Sequence, residues 1–283
     1  MSELTARSAA RISQTGPVVG IDIGGTGIKG APVDGAGAFS AERVRLLTPK
    51  PATPARVAAT VCEVLDQLDT PGPLGVTLPA VVRGGIVETA ANIDDKWIGT
   101  NAVELFEQAT SRPVTVINDA DAAGLAEIRF GAGRDRKGVV LVITLGTGIG
   151  SALFVDGVLV PNTEIGHLPL HHGEAEDWAA ESVREHDDLS WKKWAHRLQE
   201  YLGLVERLLW PELIVIGGGV SKKSDKFLHH IDIRTELVPA ELHNDAGIVG
   251  AALAAQIGDR RTPESAASPS SQPSSGPKTE TRS

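Results

Sequence analysis

An α/β fold built from two similar lobes is what this sequence predicts, on three observations. Apolar runs of strand length alternate with longer stretches of helical periodicity, the pattern of strands buried between helical layers. A strand–turn–strand unit occurs twice: Val18 to Gly35 (VVGIDIGGTGIKGAPVDG) and Val140 to Gly157 (VLVITLGTGIGSALFVDG) both run apolar strand, Gly-Thr-Gly turn, apolar strand and closing Asp-Gly. With 283 residues, 31 glycines and 17 prolines, the chain is long enough for two domains and rich in tight turns.

In chain order, Val18–Ile23 reads as the first strand, and the apolar continuation through Pro32 and Val33 as its hairpin partner. Pro54–Leu68 carries helical periodicity, Leu74–Leu78 (LGVTL) is a buried strand, and Asn101–Thr110 is a second helix. The strand Val114–Ile117 runs through Asn118-Asp119 into an Ala-rich helix at Ala120–Phe130, and Val139–Leu145 opens the second repeat. Trp191–Leu209 is a long helix whose Trp191, Trp194, Leu198, Tyr201, Leu202, Val205 and Leu208 lie at helical spacing, a stripe that fits core packing better than an interface. Leu213–Ile216 is a strand leading into three glycines, and Asn244–Gln256 is the last helix. Residues 1–16 and the Ser/Pro-rich 258–283 have too little to bury against the entropy cost of ordering. The expected division is a disordered N-terminus (1–16), a small α/β lobe (17–118), a larger α/β lobe (119–257) and a disordered tail (258–283).

A formal net charge of −9 argues against nucleic acid or an anionic membrane as a partner, so a polyanion would need a local basic site. The single cysteine, Cys62, excludes an internal disulfide and any multi-cysteine metal site, and points to the cytoplasm. No export signal is expected, and no stretch approaches the roughly 18 apolar residues of a membrane span.

Gly25 to Gly30 (GTGIKG) formally satisfies G-x-G-x-x-G, but a dinucleotide site needs a helix after the turn, whereas Pro32 and Val33 continue as strand. What remains is a hairpin whose backbone N–H groups can approach an anion closely, with Thr26 adding a hydroxyl. Taken singly, a Gly-Thr-Gly is a plain connector; two in corresponding places of two lobes point to phosphate binding. Asp22, just ahead of the first turn, would repel a phosphate unless a cation lies between them, which implies Mg²⁺ held through water.

Three segments then carry a resemblance. Asp22-Ile-Gly24-Gly25-Thr26, Leu145-Gly146-Thr147-Gly148-Ile149-Gly150 and Ile216-Gly217-Gly218-Gly219-Val220 resemble the phosphate-1, phosphate-2 and adenosine segments of the actin-like sugar kinases, and more narrowly of the ROK family, over about Val18 to Ala255. The resemblance implies a two-lobed actin-like (ribonuclease H-like) fold with duplicated domains and an interdomain cleft, and a homodimer. It also implies donor binding by these residues together with Gly27 and Thr144. In that family the pair matching Asn118-Asp119 contacts sugar and supplies the general base, so Asp119 is the expected base. A carboxylate suits that task, although an arbitrary Asp here would by default cap the helix.

Glu164-Ile-Gly-His167 matches the family's Glu-x-Gly-His sugar signature, while Gly166 and Pro169 argue against a helical di-metal half-site. Asn92 matches a further sugar contact, with Asp94 in support, and Trp97 reads as packing. Glu176, or Glu174 in a shifted register, matches the last sugar ligand. The chain departs from the family where a Cys-rich zinc motif is usual. Leu168 to Glu176 (LPLHHGEAE) has no cysteine, so no structural zinc is expected and His171 and His172 read as surface residues.

This cysteine-free loop, Val160 to Leu168 (VPNTEIGHL) and Trp210 to Lys223 (WPELIVIGGGVSKK) resemble the actinobacterial polyphosphate glucokinase branch. That implies phosphoryl transfer from inorganic polyphosphate and/or ATP to the 6-hydroxyl of glucose, with Lys29, Lys222, Lys223 and Lys226 as candidate cations for the donor. On composition alone such a lysine cluster is a solvated face. Two alternatives stand beside it: an ATP-dependent kinase of another hexose such as mannose, and a catalytically silent sugar sensor. A DNA-binding repressor is disfavoured, because only about seventeen residues precede Val18, too few for a helix-turn-helix.

Overall fold

The computed structural model describes residues 16–90 and 93–258, so the expected disorder of 1–16 and 258–283 falls outside the described residues except at Gly16 and at Gly258, which belongs to a helix and not to the tail, and the candidate Asn92 also lies outside them. Two five-stranded sheets repeat one topology. The first comprises β1 (Val18–Ile23), β2 (Ile28–Val33), β3 (Val44–Leu46), β4 (Leu74–Leu78) and, after a short hairpin of β5 (Val82–Arg83) and β6 (Ile86–Val87), β7 (Val114–Asn118), in the order β3-β2-β1-β4-β7. The second has β8 (Val139–Leu145), β9 (Ile149–Val155) and β10 (Val158–Val160). A ribbon of β11 (Pro169–Leu170) and β12 (Gly173–Glu174) follows, then β13 (Leu213–Gly217) and β14 (Glu236–Pro239), in the order β10-β9-β8-β13-β14. Each sheet is an antiparallel meander of three strands extended by two parallel ones. Short glycine-containing turns close the β1–β2, β8–β9 and β9–β10 pairs, a longer loop joins β2 to β3, and crossovers are needed for the parallel strands. The sequence repeat is thus a repeat of whole sheets.

The helices are α1 (Pro54–Leu68), α2 (Ala102–Thr110), α3 (Asp119–Phe130), α4 (Ala175–Ala179), α5 (Glu181–His186), α6 (Trp191–Leu209) and α7 (Ala246–Gly258). Pro54, with φ preset, starts α1, and Val57, Val61, Val64, Leu65 and Leu68 form the face it buries on Ile21, Leu74 and Val76. On the second sheet α6 plays the same part: Trp194, Leu198, Tyr201, Leu202 and Val205 are buried with Leu141, Ile143, Ile214 and Ile216. The stripe is therefore core, and only Leu208 of its members, 58% exposed, points away. Trp97 is likewise packing, buried against Phe106 with its indole N–H on the Ala52 carbonyl at 2.9 Å.

Between the sheets lie α3 and α7. Helix α7 is apolar on nearly every side and is buried accordingly, with Ile248, Val249, Ala252 and Ala255 against Val18, Ala31 and Val33 of the first sheet and Ala126 of α3. The last helix among the described residues therefore returns to the sheet that β1 belongs to. Leu125 and Ile128 on the other side of α3 meet Val140, Val142 and Phe154 of the second sheet. Close approach is set by glycine: a Cβ on Gly250 would overlap the Ala122 carbonyl of α3, and one on Gly75 the Ala251 carbonyl of α7. The buried Glu127 adds polar ties, accepting from the backbone N–H groups of Ala132, Glu241 and Leu242 at 2.9, 3.1 and 2.8 Å.

Candidate functional site

A cleft of about 640 Å³ opens between the two repeats at the amino-terminal end of α3. The first glycine turn contributes Gly24, Gly25 and Thr26, the second Thr144, Gly146, Thr147 and Gly148, and the third glycine segment Gly218 and Gly219. Asn118, Asp119, Glu164, His167 and Glu176 line the same space, with Pro79, Ala80 and Thr89. Fourteen of the sequence candidates thus converge on one cleft.

The two turns are built alike. Gly24 N–H donates to the Gly27 carbonyl at 3.0 Å and Gly146 N–H to the Gly148 carbonyl at 3.1 Å, leaving Gly25, Thr26 and Thr147 exposed at the tips. A Cβ on Gly148 would strike the Glu176 carboxylate, and one on Gly218, where φ is +81°, the Leu145 carbonyl. Backbone bared in this way lets N–H groups reach phosphate oxygens.

Asn118 caps α3. Its Oδ1 accepts from the N–H groups of Ala120 at 2.8 Å and Asp121 at 3.0 Å, and its Nδ2 donates to the Ala80 carbonyl at 3.1 Å, which leaves one amide hydrogen for a ligand. With the cap supplied by its neighbour, Asp119 accepts one side-chain hydrogen bond among the described residues, from the Ala120 N–H at 2.8 Å. Burial, with the Asp22 and Glu164 charges adding to it, pushes the Asp119 carboxyl up to about 7. A base must be ionised, so kcat/KM should climb as pH rises through about 7 and fall away below it, and a flat profile from about pH 5 to 8 contradicts the role.

Asp22 is held from three sides. Lys29 Nζ lies 3.1 Å from its Oδ2, and the Thr77 hydroxyl donates to its Oδ1 at 3.1 Å. Gly247 in the first turn of α7 lets that helix end approach, a Cβ there falling 2.8 Å from the carboxylate carbon. Carboxylate oxygens with lone pairs to spare, beside a second carboxylate on Asp119, form a hard donor set that fits Mg²⁺ bound through water.

On the opposite side His167 sits among carboxylates. Its Nδ1 is 2.5 Å from Glu174 Oε2 and 3.8 Å from Glu176 Oε1, and its Nε2 is 3.7 Å from Glu164 Oε2. The Glu174 hydrogen bond, helped by the surrounding charges, holds the imidazole above its usual pKa, while burial raises that of Glu164. Glu176 also accepts the Ile149 N–H at 3.1 Å and lines the cleft; Glu174 touches the ring but not the cleft. The Glu-x-Gly-His segment forms a single 3-10 turn, Ile165–His167. His167, Glu174 and Glu176 place ligand atoms within 4.8 Å of one another, but one imidazole and two carboxylates without a thiolate do not fit a closed structural zinc site of the Cys-rich kind.

Other candidates lie elsewhere. Lys29 is engaged with Asp22, Gly27 is covered by the Arg45 guanidinium, and Gly217 is buried at the end of β13. Lys222 lines a separate cavity of about 460 Å³ with Arg43 and His243, and Lys223 Nζ sits 5.7 Å from the Trp191 ring centre. Sequence reasoning missed Thr77, which orients Asp22, and Asp121. The latter is buried, accepts the Asn162 N–H at 2.7 Å, and is pushed up to about 6 chiefly by burial. A polar residue inside an apolar strand and a second acid two residues after Asp119 were the available signals.

The ROK family model matches residues 18–181, a span that holds both glycine turns, Asn118-Asp119 and the Glu-x-Gly-His segment. The chain belongs to the ROK family. Among its relatives, polyphosphate glucokinase of Mycobacterium tuberculosis (strain CDC 1551 / Oshkosh) is 52% identical over 237 residues, covering 83% of this chain and 89% of the relative. The crystal structure of inorganic polyphosphate/ATP-glucomannokinase from Arthrobacter sp. strain KM matches with a TM-score of 0.84 at 50% identity, over 86% of this chain and all of that one. A ROK family glucokinase from Streptomyces griseus, solved with glucose and AMPPNP, has a TM-score of 0.75 at 24% identity over 86% of this chain and all of that one, a likeness of fold. The two repeated sheets are accordingly the two lobes of the actin-like ROK architecture.

Proposed function

We propose that this ROK protein transfers a phosphoryl group from inorganic polyphosphate or ATP to the 6-hydroxyl of glucose, giving glucose 6-phosphate. The observation that carries the proposal is the convergence of two glycine turns and the Asp119 carboxylate on one cleft. Identity near half to a polyphosphate glucokinase and to a polyphosphate/ATP-glucomannokinase supports it. The labour divides by lobe: residues 17–118 present the first phosphate turn and Asp22, and 119–257 the base, the second turn and the sugar-facing Glu164, His167 and Glu176.

Glu164, Glu176 and the remaining Asn118 amide hydrogen grip sugar hydroxyls, with the His167 imidazole as a further hydrogen-bonding partner among them. Asp119 takes the proton from the attacking hydroxyl. The turn N–H groups hold the donor phosphates in line with that oxygen. Mg²⁺ held at Asp22 through water would neutralise charge on those phosphates.

The test supplies glucose and Mg²⁺ with polyphosphate or ATP as sole donor. Glucose 6-phosphate from either donor is the expected result; none from both removes the assignment, and product from ATP alone removes the polyphosphate part. Because the whole chain is acidic, polyphosphate must bind through local groups and metal. Its KM should therefore rise steeply with salt and activity should vanish on chelation, and insensitivity to both contradicts this mode of binding.

A further inference from the structure

Behind the sugar-facing residues, one asparagine spans the two lobes. Asn162 lies in the segment after β10, two residues before Glu164, and adopts a left-handed backbone with φ of +56°. Its N–H donates to Asp121 Oδ2 at 2.7 Å, which anchors it to α3 two residues beyond Asp119. Its side-chain amide pairs with the backbone of Val82 in β5 as a neighbouring strand would: Oδ1 accepts the Val82 N–H at 3.0 Å and Nδ2 donates to the Val82 carbonyl at 3.0 Å.

Both ends of this tie lead into the cleft. On the first lobe, β5 follows the cleft-lining Pro79 and Ala80, and Thr89, which also lines it, bonds back to the Val81 N–H at 3.0 Å. On the second, the neighbouring Ser151 holds the same segment by accepting the Ile165 N–H at 3.1 Å. The other oxygen of Asp121 is buried with no hydrogen-bond partner among the described residues, so the Asn162 N–H is the one bond that holds this carboxylate in place. An acid left half-satisfied in a core is costly, and its retention beside the site calls for a positioning role.

We propose that Asn162 is an interlobe latch, anchored by Asp121, that fixes the Glu164–His167 segment against the first-lobe hairpin and so sets the width of the acceptor pocket and the affinity for the hexose. The proposal rests on the kinase reading above. Asn162 and Asp121 are positioning residues in it, acting through Glu164, His167 and the hairpin.

Asn162→Gly isolates the latch, since glycine tolerates the positive φ and keeps the N–H to Asp121 while deleting both bonds to Val82. It should weaken glucose binding, measured calorimetrically without donor, and raise glucose KM by about tenfold, the worth of two net hydrogen bonds. Donor KM and kcat at saturating glucose should stay near wild type, while the two lost bonds lower the melting temperature by only a few degrees. Asp121→Ala should weaken glucose in the same way, and Asp121→Asn, which keeps an acceptor for the Asn162 N–H, should restore it. Unchanged glucose affinity in Asn162→Gly, or equal losses for sugar and donor, overturns the latch. Failure of the wild type to phosphorylate glucose at all defeats the kinase reading instead, and the calorimetric comparison still judges the latch.

Discussion

Asp119→Asn should lower turnover by about 10²-fold or more while leaving glucose affinity largely intact. Asparagine keeps the size and the oxygen that accepts the Ala120 N–H, so α3 and its Asn118 cap stay in place. What is lost is the group that, in the proposed reaction, takes the proton from the sugar hydroxyl as the phosphorus–oxygen bond forms. Near-normal turnover removes the base assignment. The same variant carries a stability signature with a definite sign. Asp119 has a folded-state pKa of about 7, well above the ~3.9 of an unfolded aspartate. Its favourable contribution is therefore complete below about pH 4 and is lost as pH rises through about 7, where the folded protein must hold the charged form. Asp119→Asn should unfold at a higher temperature than wild type at pH 8, and that advantage should shrink to nothing near pH 4. An advantage that does not vary with pH contradicts the buried-carboxylate account.

Gly250→Ala should be the most damaging small substitution in the described core. Helix propensity alone favours alanine by about 1 kcal/mol. The added methyl, however, meets the Ala122 carbonyl of α3, a backbone atom fixed within its own helix that cannot turn aside. Overpacking against fixed backbone costs about 3 kcal/mol or more, so the clash wins by about 2 kcal/mol and the melting temperature should fall by roughly 4–8 °C. Gly203→Ala on α6 is the matched control, since its Cβ would meet only the flexible Arg207 side chain, at 3.5 Å. It should raise stability slightly. Equal stabilisation by both substitutions means that α3 and α7 are not in contact as described, and the central layer that joins the lobes would have to be redrawn.

The fold was legible because its information is periodic and duplicated. The repeated strand–turn–strand unit gave both hairpins, and α1 and α6 have the bounds their apolar spacing implies, Pro54–Leu68 and Trp191–Leu209. Helices α4 and α5 were not foreseen, since five and six residues are too short to show a period. The return of α7 to the first sheet is equally invisible to local pattern, because an all-apolar helix declares that it is buried and not against what. Within the site, the residues on the turns and at the start of α3 were readable because backbone geometry places them. The lysines were harder. Lys29 stands directly opposite Asp22 across the β1–β2 pair, so the register binds its charge to that carboxylate, and spacing along the chain does not reveal the pairing. Lys222 lies in a 3-10 run, Gly219–Lys226, and lines a different cavity from the glycines just before it. Asn162 offered only a turn-forming Pro-Asn dipeptide, and its partners, Asp121 and Val82, lie 41 and 80 residues away.

A crystal structure of the protein with glucose bound tests the central claim most directly. The sugar should lie in the cleft between the glycine turns with its 6-hydroxyl about 3 Å from an Asp119 carboxylate oxygen and its other hydroxyls against Glu164, His167 and Glu176. Glucose seated outside this cleft, or within it with the 6-hydroxyl turned away from Asp119, would contradict the account.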